Sequence, residues 1–393
     1  MSGIIFNRTL DKFCRTYFVG NRHITPAEEV AFSRVAPQEQ RALLEQLLLF
    51  DTIAFKVTGE NIPAAFLIGQ VGLKGLEELL ERGALRFVLW NQIVTHLVTD
   101  VVGVNPLQHG KMNGPAHNDP SASAELGLNW LNAELPATRK RRLVTKLANL
   151  YDQQSQDSAA EAVAITHSAY RSGRLAAFDL DPGKAPLENI PLAGRQALGK
   201  CADEIAEYKL LMEKGWSSLT EFTYFELFSD SLRRLTEASA VTSGFRYLVE
   251  LEGVPDIELI APKPERALRH IVKIRSRRSS ALFRQWLSSN PEETRIELTR
   301  RYVDAIANRD GFFERASGKI TKSVVMTAAG VGLGTAIKGG LAAAAVGGTI
   351  GKALEPIADF GLDLLDSFLL DGLLRGWTPR LFLSQLGRSL GRR

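Results

Sequence analysis

Cysteine is nearly absent. Cys14 and Cys201 are the only two in 393 residues. Their separation matches no metal-ligand spacing, and two thiols make no disulfide framework, so a reducing compartment is expected. Histidine is also scarce, at six. His109 and His117 share a polar stretch with Asn118 and Asp119, but the spacing matches no metal pattern. No G-x-S-x-G, H-E-x-x-H or C-x-x-C occurs. No enzyme, cofactor or metal is therefore expected. The one opening for an unrecognised hydrolase is the His109–Asp119 stretch. The N-terminal MSGIIFNRTLDKFCRTYFVGNR has neither a continuous apolar run nor a small-residue cleavage site. No secretory signal is expected. The expected location is the inner membrane with a large cytoplasmic part, or the cytoplasm until triggered.

What is present is ordinary in bulk and unusual in two places. Hydrophobic residues make up 45% and the formal net charge is +4. Mean hydropathy is −0.06 and the pI about 9.0. These are soluble-protein values, so any membrane part must be local. Residues 27–50 have helical periodicity with a break expected at Pro37. Strand-like runs at 51–57 and 84–90 flank one or two helices ending on Gly83, which suggests a small α/β unit. Residues 103–123 read as a loop, 123–150 and 155–172 as helix, and 181–194 as a linker. Helix is expected again over 195–214 and 220–238. The segment 244–260 is mixed, a strand pair around Gly253-Val254-Pro255 being one reading. Another helix starts with Asn290 as cap and Pro291 in first position. The expected fold is mainly α with a small α/β element. Its divisions are an N-terminal helical and α/β region (1–125), a helical sensor region (126–320) and a membrane-inserting, oligomerising segment (321–393).

The first unusual place is residues 324–352, VVMTAAGVGLGTAIKGGLAAAAVGGTIGK, with Lys338 the only charge before Lys352. Gly330, Gly332 and Gly334 do not make a dinucleotide loop, because the third spacing fails and no acidic strand end follows. As one helix, 324–351 is about 40 Å long, against a hydrocarbon core of about 30 Å. Gly330 and Gly334, and Gly340, Ala344 and Gly348, recur at four-residue spacing, which lets helix backbones approach closely in a membrane. Lys338 facing lipid at mid-span costs about 3 kcal/mol, and an oligomer can turn it toward a wet lumen. The alternative is a buried soluble hairpin bent at Lys338-Gly339-Gly340. Downstream, Glu355, Asp359, Asp363 and Asp366 share one helix face. They line a cation vestibule or form a solvated face. Arg375, Trp377 and Arg380 suit an interface anchor.

The second is residues 265–289, one long basic helix or two. Arg266, His270, Lys273, Arg277 and Arg284 fall at intervals of four, three, four and seven. Arg269, Arg275 and Arg278 thicken the stripe. Such a stripe neutralises phosphates without base contacts, and Phe283 and Trp286 offer stacking. A solvated helix face, or a surface meeting anionic lipid, is the alternative. A second basic cluster spans Arg139-Lys140-Arg141-Arg142.

KIRSRRSSALFRQWL (273–287), the Gly/Ala stretch and GLDLLDSFLLDGLLRGW (361–377) together resemble the transmembrane effector of Hailong anti-phage defence systems. The resemblance covers about a third of the chain. It implies a bacterial defence effector: a homo-oligomeric ion channel, a tetramer among the possible assemblies, that depolarises the inner membrane. A single-stranded DNA oligomer would hold it shut. A nucleotidyltransferase would act on it only through that product. The rival reading is a soluble oligomeric interaction protein with a Gly/Ala-rich core.

Overall fold

The computed structural model describes residues 3–18, 25–90, 92–96, 107–131, 134–154, 157–219, 224, 240–244, 247–248, 264–288, 297–298, 382–383 and 385–386. Of 92–96 and 264–266 it describes the backbone. The chain divides into two compact units: Met1–Ser239 with Lys263–Lys273, and Ala240–Pro262 with Ile274–Arg393.

The first unit is built on a five-stranded parallel sheet. Its strands are β1 (Ile4–Asn7), β2 (Thr52–Val57), β3 (Leu85–Leu89), β6 (Tyr151–Gln153) and β7 (Ser217–Ser218). They lie in the order β6-β3-β2-β1-β7. Parallel strands need long crossovers, and these are helical here. The helices α1 (Leu10–Phe18) and α2 (Pro26–Leu49) join β1 to β2, and α3 (Ile62–Val71) and α4 (Leu73–Glu81) join β2 to β3. The expected strand–helix–strand unit at 51–90 is thus present, inside a larger sheet.

Between β3 and β6 the chain forms an antiparallel pair, β4 (Gln92–His96) and β5 (Leu107–Lys111). Then come α5 (Pro115–Asn118), α6 (Pro120–Leu128) and α7 (Ala137–Ala148). Helices α8 (Ser158–Arg171) and α9 (Leu192–Lys214) return the chain across the sheet to β7. Phe6, Ala54, Val88 and Trp90 on one sheet face form a core with α8 and α9. On the other face Phe55, Phe87 and Tyr151 are stepped, with ring centroids 6.1 and 5.5 Å apart.

Several expectations are corrected. Pro37 does not break α2, which is continuous through it. The proline ring removes one donor to the Ser33 carbonyl, and Ser33 is exposed, where water can replace it. Leu43, Leu44, Leu47 and Leu48 bury the helix regardless. Residues 103–123 are not one loop: they contain β5, α5 and the start of α6. Asp119 caps α6, its carboxylate accepting from Ser121 N–H at 2.9 Å. The 123–150 run is two helices. Residues 181–194 hold a 3₁₀ turn (Leu187–Asn189) and the start of α9, anchored by Arg195 donating to the Ile190 carbonyl at 2.8 Å. The segments 220–238 (Tyr224 excepted), most of 244–260, and Asn290-Pro291 lie outside the described residues.

Helix α10 (Pro264–Arg275) contributes residues up to Lys273 to the first unit, and Val272 packs 3.3 Å from where a Cβ on Gly75 of α4 would stand. In the second unit, α11 (Arg278–Ser288) buries Phe283 against Phe382, 4.3 Å between ring centroids, and Ser279 donates to Gln385 at 2.8 Å.

Helix α6 approaches the loop before α3 closely at Gly127. A Cβ on Gly127 would stand 2.7 Å from the Asn61 backbone nitrogen and closer still to its carbonyl. Asn61 is fully buried, caps α3 through Ala64 N–H at 3.0 Å and donates to Tyr151 at 2.8 Å. Gly127→Ala therefore pushes backbone against backbone. It is expected to cost about 3 kcal/mol, read as a lowered midpoint in urea unfolding. Ala at Gly69, which has open space around it, is the matched control and is expected to lose nothing.

Candidate functional site

In open parallel sheets, ligands meet the carboxyl ends of the strands where strand order reverses. Here that point lies between β1 and β7. Arg8 follows β1 directly and Lys56 is the penultimate residue of β2. Both reach α9. Arg8 Nε lies 2.7 Å from Glu207 Oε2 and Lys56 Nζ 2.8 Å from Glu207 Oε1. Glu204, one turn back, accepts the Tyr224 backbone N–H at 3.1 Å and lies 3.8 Å from Arg8. Lys56 also sits 4.3 Å above the Trp90 ring, a cation–π contact. Glu204 and Glu207 are only 1% and 2% exposed. Asp203 completes the group. Burial raises its pKa, and Lys56 and Arg8 only partly oppose this, since Glu207 and Glu204 push the same way as burial.

This arrangement ties two adjacent strands to the crossing helix through one carboxylate. Sequence reading missed it. The available signal was Lys56, the one charge inside TIAFKV, and Asp203, Glu204 and Glu207 among the apolar residues of α9.

On the opposite face, Asn7 caps α1, accepting from Leu10 N–H at 2.9 Å. Arg15 pairs with Asp11 at 2.9 Å and donates to the carbonyls of Thr58 and Glu60. Ser123 joins Tyr151 at 2.9 Å and the Gly59 carbonyl. His117 packs over Gly59, whose φ of +79° favours glycine. Its pKa is lowered, first by burial and then by Arg15. His109 is exposed on β5. Among the described residues no group of three His, Cys, Asp or Glu side chains could hold a metal.

No family model matches this chain, and no curated protein or solved structure matches it significantly. Its chemistry must be read from its own residues.

The basic segment is two helices, not one stripe. Helix α10 ends at Arg275, and α11 begins at Arg278 in the second unit. On α10 the partition is clear. Ala267, Leu268, Ile271, Val272 and Ile274 are buried, while Arg269, His270 and Lys273 are exposed. The Arg266 side chain lies outside the described residues. Arg275 is buried, Arg277 half-buried and Arg278 exposed. Arg284 is only 8% exposed, so it does not continue the solvent-facing row. The break at 276–277 resets the helical phase. Phe283 is a core residue, and Trp286, half-buried, lies 6.0 Å from it.

The second basic cluster meets the same helix as α10 does. Arg139 on α7 pairs with Glu77 of α4 at 3.2 Å, and Lys146 with Glu81 at 2.6 Å. Arg141 and Arg142 stay exposed. On α4, Gly75 and Glu77 lie on opposite flanks of the buried Leu76, Leu79, Leu80 stripe. Helices α10 and α7 thus flank α4. Gly330, Gly334, Lys338, Gly340, Ala344, Gly348, Asp359, Asp363 and Asp366 all lie outside the described residues. Among the described residues no helix is long and apolar enough to cross a membrane.

Two tests follow from the Glu207 bridge. Lys56→Met leaves a buried carboxylate with one cation fewer. It is expected to cost about 3 kcal/mol in chemical unfolding, with the Lys56→Met, Glu207→Met double variant markedly less destabilised. Asp203 titrates higher when folded than when unfolded, so its ionisation opposes folding. Its contribution to stability falls as pH rises through the window between the two values. Asp203→Asn is expected to raise Tm at pH 7, and the gap is expected to close as pH is lowered through that window. A gap that stays constant with pH would contradict the assignment.

Proposed function

We propose that the chain is a ligand-gated, membrane-permeabilising effector of bacterial anti-phage defence. Its α/β body takes a polyanion, a single-stranded DNA oligomer, on the exposed side of α10. Its segment 324–351 forms an oligomeric pore at the inner membrane when that ligand is lost. The observation that carries the reading is the partition of α10, which buries its apolar residues and leaves Arg269, His270 and Lys273 in solvent. Exposed cations in successive turns meet successive phosphates and release counterions, which supplies affinity without base contacts. The exposed Arg141 and Arg142, beyond α4, extend the positive charge on the same unit. The resemblance carried by 273–287 and 361–377 supports the defence setting, and the lone Lys338 in a small-residue segment supports a wet pore.

The test has two arms. In fluorescence anisotropy, a short single-stranded DNA oligomer is expected to bind with a negative salt dependence. Arg269→Glu with Lys273→Glu is expected to weaken binding at least about tenfold and to flatten the salt slope by about one unit or more. Unchanged affinity removes α10 as the interface. In liposomes, ion flux from the full chain is expected to be suppressed by the oligomer and altered by Lys338→Leu. Absence of flux in every condition favours the soluble oligomer with a Gly/Ala-rich core.

A further inference from the structure

The second unit has one core to which the chain returns from far along its length. Phe283 and Leu287 of α11 are buried, and so are Phe382, Leu383 and Leu386. Phe283 stacks on Phe382 with ring centroids 4.3 Å apart and planes 23° apart. Ser279 donates to Gln385 at 2.8 Å. Leu298 belongs to the same core. A Cβ on Gly244 would stand 3.2 Å from Leu298 Cδ2 and 3.6 Å from Leu287 Cδ1. Leu298 and Phe382, which bracket the Gly/Ala stretch, are therefore held together through Gly244, Leu287 and Phe283.

This contact constrains any passage through a bilayer. A chain that crossed once between Leu298 and Phe382 would leave the two phenylalanines about 30 Å apart, on opposite sides of the hydrocarbon. With the core intact, every crossing needs a return, and the number of crossings is even.

The sequence contains a segment suited to the return. After Gly351-Lys352, Pro356 fits a first helical position. As a helix, 356–377 is about 33 Å long, enough for one crossing. Asp359, Asp363 and Asp366 share one face by spacing, and Ile357, Leu364 and Phe368 fall opposite. Such a helix can stand between a wet lumen and lipid. The basic residues agree with this path. Arg315, Lys319 and Lys322 precede the Gly/Ala stretch, and Arg375, Arg380 and Arg388 follow the acidic one. Between Lys338 and Arg375 the only cation is Lys352. Lys and Arg collect on the cytoplasmic side of membrane segments, which puts both ends there and the Lys352 turn across the bilayer.

Resting on the pore reading above, we infer that the Phe283–Phe382 contact stays closed in the membrane. Each chain then gives the pore a re-entering pair, 324–351 and 356–377, with both ends cytoplasmic. The acidic face of the second segment lines the lumen, which suits cations.

The test places single cysteines in the full chain: Ser121→Cys on the exposed surface of α6, Lys352→Cys and Arg393→Cys. Cys14 and Cys201 are buried, and the unaltered chain gives their background. Spheroplasts are treated with a maleimide on polyethylene glycol, too large for an ion pore, before and after permeabilisation. Expected is labelling of Lys352→Cys in intact spheroplasts, and of Ser121→Cys and Arg393→Cys only after permeabilisation. Labelling of Arg393→Cys in intact spheroplasts means a single crossing, which overturns the inference and leaves a membrane effector. Protection of Lys352→Cys, or a chain confined to the soluble fraction, overturns the pore reading and this inference with it. A second arm joins Ser279→Cys to Gln385→Cys by a short bismaleimide in the purified full chain in liposomes. Ion flux is expected to be unchanged by the link. Flux lost on linking but present in the unlinked variant shows that the contact must part, and overturns the inference.

Discussion

The first unit depends on a four-residue strand. β1 pairs with β2 on one side and β7 on the other, so it holds the two directions of the sheet together. No local turn can make those pairings. They exist because the crossovers bring residues 52 and 217 to residues 4 and 5, closing long loops at an entropic cost that only burial and hydrogen bonding offset. Ile5 and Phe6 are accordingly 0% and 1% exposed. The residue after β1 that pairs with a helix is a cation, and that choice sets the electrostatics of the sheet edge.

Beside the carboxyl ends of β1 and β2, three acids of α9 meet two cations. Glu207 satisfies Arg8 and Lys56 together, and Glu204 receives a backbone N–H. Buried ion pairs contribute little net stability compared with apolar residues of similar volume. Here Glu207 of α9 lies within 2.8 Å of both cations. Asp203 gains least from this arrangement. Its pKa is raised first by burial, with Glu207 and Glu204 adding to that and Lys56 and Arg8 opposing it.

Helix α10 shows how burial and charge divide one short segment. Val272 packs near Gly75 of α4, Arg269, His270 and Lys273 are exposed, and Arg275 at the end of the helix is buried. The turn at Ser276-Arg277 then shifts the phase by which later residues are buried. Arg284, in sequence the natural continuation of the row, goes inside, and Phe283 packs on Phe382. A spacing of seven predicts a shared face only while the helix is unbroken.

By itself the sequence determined the helix-rich composition, the strands at 52–57 and 85–89 and the amphipathic character of α10. Each of these is written in local periodicity or in the chemistry of adjacent residues. It also singled out 324–352, whose small-residue pattern is independent of any fold. Only the tertiary structure decided that Ile4–Asn7, Tyr151–Gln153 and Ser217–Ser218 are strands, because short or polar strands owe their hydrogen bonds to partners far along the chain. It alone decided that Lys56 and Glu207, 151 residues apart, share one ion pair, and that α7 and α10 flank the same helix. Charge in a sequence carries a sign and a position, whereas its partner is a matter of which elements the sheet brings together.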